Sequence, residues 1–312
     1  AIISIFLGDE LNKVIESIVN ASKYEAHQRD QMKLGVHILP RFSKDSTDRN
    51  RTSPFAFTGN KFEFRSLGSA QSISGPNVIL NTAIADTLMN MADELEAAPD
   101  FAAAVDALIR NTLRKHMRII FNGNGYDQSW VREAQRRGLC NLPTTVDALP
   151  YYVSDKNVAL FERQKVLTRE EVQSRYEIKL ETYVKVIDIE ALCMIDIARR
   201  LILPAALAYA KDVAQEVQLK RSVAPGLSTE AEMSLLEALS EQTNALSTWT
   251  ARLQTALEGM DKDAQLLLKA QYTRNEVTPA MDRLRAAGDA LETLVGKRYW
   301  PMPTYQDLLT SV

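Results

Sequence analysis

The stretch TSPFAFTGNKFEFRSLGS (residues 52–69) places Phe55, Phe57, Phe62 and Phe64 around a central Thr-Gly-Asn, with Lys61, Glu63 and Arg65 interleaved on the second half. Aromatic residues at every second position favour strands, and a glycine beside asparagine between two such runs predicts a hairpin over 54–67. Side chains alternate faces along a strand, so Phe62 and Phe64 share one side and Lys61, Glu63 and Arg65 the other. The expectation is one core face and one charged face. The charged face has two readings. One is a solvated sheet surface on which Glu63 is flanked by two cations. The other is a platform where a divalent metal and phosphate oxygens meet, because Glu offers a hard oxygen ligand and Arg offers fixed donors. Arg49 and Arg51, entering from the polar segment DRNRTSP, add cations that favour the second reading.

Outward from the hairpin the chain changes character. Residues 1 to about 22 read as a helix with Ile5, Val14, Ile15 and Ile18 on one stripe, and 32–39 (MKLGVHIL) alternate as a half-buried strand. After the loop LGSAQSISGPN the pattern is helical: 77–97, about 100–120, 128–138 and 154–163. The sequence Thr168-Arg169-Glu170-Glu171 reads as a capping box opening a helix that runs past residue 200 and is interrupted or kinked at Pro204. Two stripes at 3–4 spacing follow. Leu236, Leu239, Thr243, Leu246, Thr250, Leu253, Leu257 and Met260 form one, and Val277, Met281, Leu284, Gly288, Leu291 and Val295 the other. A polar turn near Asp261 joins them, which predicts a long antiparallel helical hairpin, since each stripe must be buried against a neighbour. The fold class is therefore α+β, with a small mixed region up to about residue 75 and a helical region after it. Pro225-Gly226 is the clearest break among the helices.

The totals exclude several classes. With 312 residues, 37 Lys and Arg against 40 Asp and Glu, and a net charge of −3, no overall field favours nucleic acid or an anionic membrane. No apolar run approaches the roughly 20 residues needed to cross a bilayer. Cys140 and Cys193 lie far apart with no neighbouring ligand residues, so they are expected to be buried thiols in a reducing compartment, with the cytoplasm as default. Asn20-Ala21-Ser22 and Asn50-Arg51-Thr52 match the glycosylation pattern at the level expected by chance. The chain opens on Ala1 and the apolar run AIISIFLG, which is read as the middle of a longer polypeptide whose earlier part carries half of any active site.

Other candidate sites are weak. His27, His37 and His116 form no ligand motif, and His37 is expected to be a hydrogen-bonded core residue. The basic helix around Arg110, Arg114, Lys115, His116 and Arg118 lacks interleaved aromatics and reads as a solvated face. FNGNGYD (121–127) has Gly123 and Gly125 but no third glycine and no preceding strand, so it reads as a turn; SGPN (74–77) reads as a loop entering a helix. No nucleophile motif or His-Glu-x-x-His is present.

The stretch DRNRTSPFAFTGNKFEFRSLGSAQSISGPN resembles the late catalytic region of glutamine synthetases, most closely the long type III form. AIISIFLGDEL, KLGVHILPRF, RIIFNGNGY, NVALFERQKVLTREEVQSRYEI, IEALCMIDIARRLILPA and YWPMPTYQDLL are similar to the same family, so the resemblance spans essentially the whole chain. It implies ATP-dependent ligation of ammonia to L-glutamate through γ-glutamyl phosphate, with Mg2+ or Mn2+ holding the ATP phosphates. On the matching motifs, Glu63 falls on a metal-binding glutamate and Arg65 on the arginine that steadies the glutamate substrate and the transferring phosphoryl group. Arg51 falls on an arginine contacting the same phosphoryl group. Lys61 stands where shorter forms have an arginine near the nucleotide, keeping the charge but losing the bidentate fork. Shorter forms also have an arginine at the register of Ala56, which is a departure.

The remaining metal ligands, the ammonia-site aspartate and the flap glutamate of the family belong to sequence before Ala1, so the segment alone is expected to be inactive. The resemblance further implies a curved antiparallel catalytic sheet, with residues 1–120 as the C-terminal part of the catalytic domain and 121–312 as the helical type III extension. It also implies assembly into two stacked hexameric rings, a dodecamer. The competing reading is a non-catalytic helical scaffold or oligomerisation module, supported by the heptad stripes.

Overall fold

The computed structural model describes residues 2–23, 31–32, 42–43, 53–65, 68 and 71–310. The chain divides into two compact units, Ala1–Arg169 and Glu170–Val312. Most of the described residues are helical, and a small three-stranded sheet lies in the first unit.

In that unit, β1 (Ile5–Phe6), β4 (Phe55–Phe57) and β5 (Phe62–Phe64) form a sheet in the order β1-β4-β5. The hairpin forms where the alternation predicts it. Its register pairs Phe55 with Phe64, Ala56 with Glu63 and Phe57 with Phe62, and Thr58 N–H donates to the Lys61 carbonyl at 2.9 Å to close the turn. Gly59 has φ +98°, a conformation that a two-residue hairpin loop asks of its first position and that glycine adopts without a Cβ clash. A second pair, β2 (Gln31–Met32) with β3 (Phe42–Ser43), is antiparallel. The strand expected at 32–39 otherwise lies outside the described residues, as do His27, His37, Arg49 and Arg51.

The N-terminal expectation needs correction. The predicted helix over 1–22 is a strand, β1, followed by α1 (Asp9–Val19). β1 runs parallel to β4, so the sheet among the described residues is mixed. The apolar run AIISIFLG carries no helical period; β-branched Ile2, Ile3 and Ile5 suit a strand, and a partner fifty residues away supplies the ladder. Gly8, at φ 81°, turns the chain from strand to helix. Leu7, Ile15 and Val19 then form a small core joined by Ile5, Phe57, Leu113, Met117 and Ile120.

Three further helices match their sequence signals within a few residues: α2 (Ser74–Glu96), α3 (Phe101–His116) and α4 (Gln128–Arg136). Asp100 caps α3 by accepting from Ala103 N–H at 3.1 Å, and Asp127 caps α4 by accepting from Ser129 N–H at 2.7 Å. SGPN is the first turn of α2 rather than a loop, because Pro76 is tolerated where the helix has no N–H partner to lose. Helix α5 (Thr145–Tyr152) had no counterpart in the sequence reading. Thr144 caps it by accepting from Asp147 N–H at 3.2 Å, a signal that Pro150 inside the helix masks. Helix α6 (Asp155–Arg163) begins at Ser154, and Arg163 grips Asp86 of α2 through two hydrogen bonds of 2.7 and 2.8 Å.

The second unit is built on long helices. Helix α7 (Arg169–Ile197) passes through a π-helical turn, Ala198–Ile202, into α8 (Leu203–Val223). The predicted interruption at Pro204 takes this form: proline lacks an N–H and crowds the carbonyl one turn back, and a widened turn relieves both. The device recurs between α10 (Leu266–Tyr272) and α11 (Thr278–Leu294), where the π turn Thr273–Val277 precedes Pro279. Helix α9 (Glu230–Glu258) buries Leu239, Leu246, Thr250 and Leu253, the predicted stripe. On the second stripe Val277, Leu284, Gly288, Leu291 and Val295 are buried, with Met281 packed beside them. α9 and α11 share one core with Ala191, Ile195 and Ile202, and Thr250 satisfies its buried hydroxyl by donating to the Leu246 carbonyl at 2.6 Å. The short helix α12 (Tyr305–Thr310) completes the unit.

Candidate functional site

Glu63 sits at the middle of β5, and its neighbours on the same strand face are Lys61 and Arg65, as alternation requires. Arg65 donates to Glu63 Oε2 from Nη2 at 3.1 Å and from Nε at 3.4 Å. The Lys61 ammonium lies 3.6 Å from Glu63 Oε1. Both carboxylate oxygens are thus engaged by cations of the same strand. Exposure grades along it: the Lys61 side chain is 66% exposed, Glu63 39% and Arg65 19%. The Arg65 hydrogen bond, helped by the Lys61 charge and opposed by partial desolvation, holds the Glu63 carboxyl below its ordinary range, so it is an anion at neutral pH.

Across the sheet Glu63 faces Ala56, which is fully buried, and Ala56 in turn faces Phe6 of β1. A methyl at this central position lets the sheet close; an arginine at the same register would have to displace its surroundings. The expected division into a core face and a charged face is corrected here. The phenylalanines pack in pairs, Phe55 on Phe64 with ring centroids 4.9 Å apart and Phe57 on Phe62 at 5.3 Å. None of the four is buried, and Phe62 is 54% exposed; the buried strand residue, Ala56, lies on the Glu63 side. Paired rings stiffen the hairpin through cross-strand contact rather than by deep burial.

The base of the hairpin is fixed by a buried hydroxyl pair. Ser53 Oγ and Ser4 Oγ lie 3.0 Å apart, Ser53 Oγ also donates to the Ser4 carbonyl at 3.0 Å, and Phe55 N–H donates to the same carbonyl at 3.2 Å. At the other end of β1, Leu7 and Gly8 N–H groups both donate to Asn122 Oδ1 at 3.0 and 3.1 Å. FNGNGYD is irregular, as expected, but Asn122 within it holds the strand-to-helix corner, a role for which a lone asparagine gives no sequence signal. Phe121 stacks on Trp130 at 3.8 Å, and Arg137 lies over both rings while donating to the Ile120 carbonyl at 2.8 Å.

Two other expectations are settled by exposure. Cys140 and Cys193 are both exposed free thiols, not buried ones, since each falls on the outer side of its segment. Arg110, Arg114, Lys115, His116 and Arg118 are exposed, as a solvated face requires. Of the site residues singled out from sequence, the structure brings Lys61, Glu63 and Arg65 together, and Arg51 lies outside the described residues. Among the described residues no group of three His, Cys, Asp or Glu side chains is assembled to hold a metal ion, and no helix is long and apolar enough to cross a membrane. Glu63 offers one carboxylate, a hard oxygen donor type whose two oxygens are engaged here by Arg65 and Lys61.

Comparison with known proteins concerns the chain as a whole. Residues 104–221 match the family model described as the glutamine synthetase C-terminal domain. A protein named type-3 glutamine synthetase from Dictyostelium discoideum is 39% identical over 99% of the chain, and a glutamine synthetase from Butyrivibrio fibrisolvens is 37% identical over 100% of it. A glutamine synthetase from Bacteroides fragilis is 29% identical over 99% of the chain. The chain spans less than half the length of these relatives, 43%, 45% and 44% in turn. The chain belongs to the glutamine synthetase family, in its type 3 form, and corresponds to a C-terminal part of that protein.

Proposed function

We propose that the full-length protein ligates ammonia to L-glutamate at the expense of ATP. In the first step the glutamate γ-carboxylate takes the terminal phosphoryl group of ATP, giving γ-glutamyl phosphate and ADP. Ammonia then attacks the acyl carbon, phosphate leaves, and one proton is released. Neither step needs a protein nucleophile; both need cations around developing negative charge. The observation that carries this reading is the Lys61–Glu63–Arg65 strand, which sets one anionic oxygen ligand between two cations on an ordered sheet face.

Glu63 would hold Mg2+ or Mn2+, and such an ion would supply positive charge against the phosphate oxygens. Arg65, the less exposed of the two cations, would orient the glutamate substrate and the phosphoryl group with its planar donors, together with Arg51. Lys61, at the exposed end of β5, would meet the nucleotide as a mobile point charge. The small sheet is read as part of a curved catalytic sheet. Helix α2 has Thr82 as its one buried residue, while Val78, Ile79, Ile84 and Leu88 are exposed around it, apolar surface of the kind that further protein covers.

Residues 1–120 would then close the catalytic domain, and 121–312 would form the helical extension, with α9 and α11 as its antiparallel hairpin. Assembly as stacked hexameric rings and a cytoplasmic setting belong to the same proposal. The segment alone is expected to be inactive, since no group of three metal-ligating side chains is assembled among the described residues. The test is glutamine formation by the purified full-length protein with glutamate, ammonia, ATP and Mg2+. Stoichiometric glutamine, ADP and phosphate are expected; ATP hydrolysis without glutamine, or no turnover, would contradict the proposal.

A further inference from the structure

We infer that Ser53 is a positioning residue for Arg65: its buried hydroxyl, held by Ser4, fixes the Pro54 carbonyl that anchors the Arg65 backbone. This rests on the reading of Arg65 as the group that orients glutamate and the transferring phosphoryl group. Arg65 follows the last residue of β5, and its N–H donates to the Pro54 carbonyl at 2.7 Å. Pro54 has no N–H of its own, so its carbonyl is aimed by the residues on either side. Both neighbours bind one atom, the Ser4 carbonyl, which accepts from Ser53 Oγ at 3.0 Å and from Phe55 N–H at 3.2 Å. Ser4 and Ser53 are buried, and their hydroxyl oxygens lie 3.0 Å apart.

A buried hydroxyl costs free energy unless it is hydrogen-bonded, and replacing both members of such a pair by apolar groups can be nearly neutral for stability. What the pair adds is direction. β1 has two residues, so its ladder with β4 is short, and the Ser53 bond extends the join to the residue before Pro54. Without that bond, Ser53 and Pro54 would be tied to Ser4 only through Phe55, and the Arg65 backbone would move with the Pro54 carbonyl. A guanidinium recognises its ligand by the direction of a planar set of N–H bonds, and a displacement on the order of 1 Å costs up to about a hundredfold in rate. The Ser53 hydroxyl therefore acts on the reaction through Pro54 and Arg65, without touching substrate.

The test is a double-mutant cycle on steady-state glutamine formation by the full-length protein, with Ser53→Ala and Arg65→Lys made singly and together. Ser53→Ala should lower kcat roughly tenfold while KM for ATP stays within about twofold, because a misdirected Arg65 is missed mainly in the transition state. Arg65→Lys keeps the charge but has no planar fork to aim, so adding Ser53→Ala to it should cost less than about twofold more. Ser53→Cys keeps the size with a weaker donor and takes the same place in the cycle if Ser53→Ala fails to fold. Equal losses of kcat from the Ser53 change in both backgrounds, or no loss beside Arg65, overturn the positioning role while leaving Arg65 in the reaction. Turnover equal to the parent in Arg65→Lys alone removes the Arg65 fork from the reaction, and the inference with it.

Discussion

Glu133 on α4 accepts from Arg136 Nε at 2.7 Å and Arg137 Nε at 2.6 Å, and these bonds hold its carboxyl down to about 2 from an ordinary 4.5. A depressed carboxylate stabilises the fold fully above the ordinary value and loses that contribution as pH falls through the folded one. Glu133→Gln should therefore be less stable than the parent at pH 7, with the difference shrinking below about pH 4.5 and vanishing only below about pH 2 in urea titrations; a difference that stays constant with pH would contradict the assignment. The loss should also loosen Arg137, which ties α4 to the carbonyl of Ile120 next to β1. At this scale the sequence was informative where charges share a strand: alternation alone placed Lys61 and Arg65 on either side of Glu63. It was silent on Asn122 and on the Ser4–Ser53 pair, because such bonds join residues 49 to 115 positions apart and leave no local pattern. It also misjudged Cys140 and Cys193, because low reactivity context says nothing about which side of an element a thiol occupies.

The elements that announced themselves are those with a sustained period. The stripe on α9 and the one ending at Val295 were legible because a 3–4 spacing over several turns has no other economical burial, and the core they share contains the predicted leucines. Leu246 is 1% exposed on that seam. Leu246→Asp should cost more than the about 2–5 kcal/mol of a buried Leu→Ala change, because it also buries an unpaired carboxylate. Calorimetry should show a lowered melting temperature, or light scattering a smaller assembly, before substrate affinity changes; an unaltered melting temperature and mass would refute the packing role. Short elements were the hidden ones. β1 has two residues and borrows its ladder from β4, so no window of sequence contains both partners. α5 carries Pro150, and the π turns before Pro204 and Pro279 depend on how a proline is accommodated, which spacing does not encode.

At the scale of the whole molecule the chain combines a small charged sheet in one unit with a helical core in the other, and each corresponds to a different demand on the protein. The sheet face offers charge in fixed geometry, which the proposed phosphoryl transfer would use; the long seams of α9 and α11 are buried against one another and hold the second unit together. In a purely structural module the seams would hold the helices together, and Lys61, Glu63 and Arg65 would be a solvated ion-pair network. On a solvated surface such pairs contribute about 0–1 kcal/mol, so removing them should cost the fold little. Family membership, legible from motifs distributed along the whole sequence, joins these parts, whereas no periodicity could have done so. The most direct measurement of the central claim is metal-dependent glutamine synthesis by the full-length protein carrying Glu63→Ala, beside the parent. The account predicts a fall in turnover of about a hundredfold or more, the scale of losing one preorganised electrostatic group at a transferring centre, with the melting temperature little changed; turnover equal to the parent would contradict it.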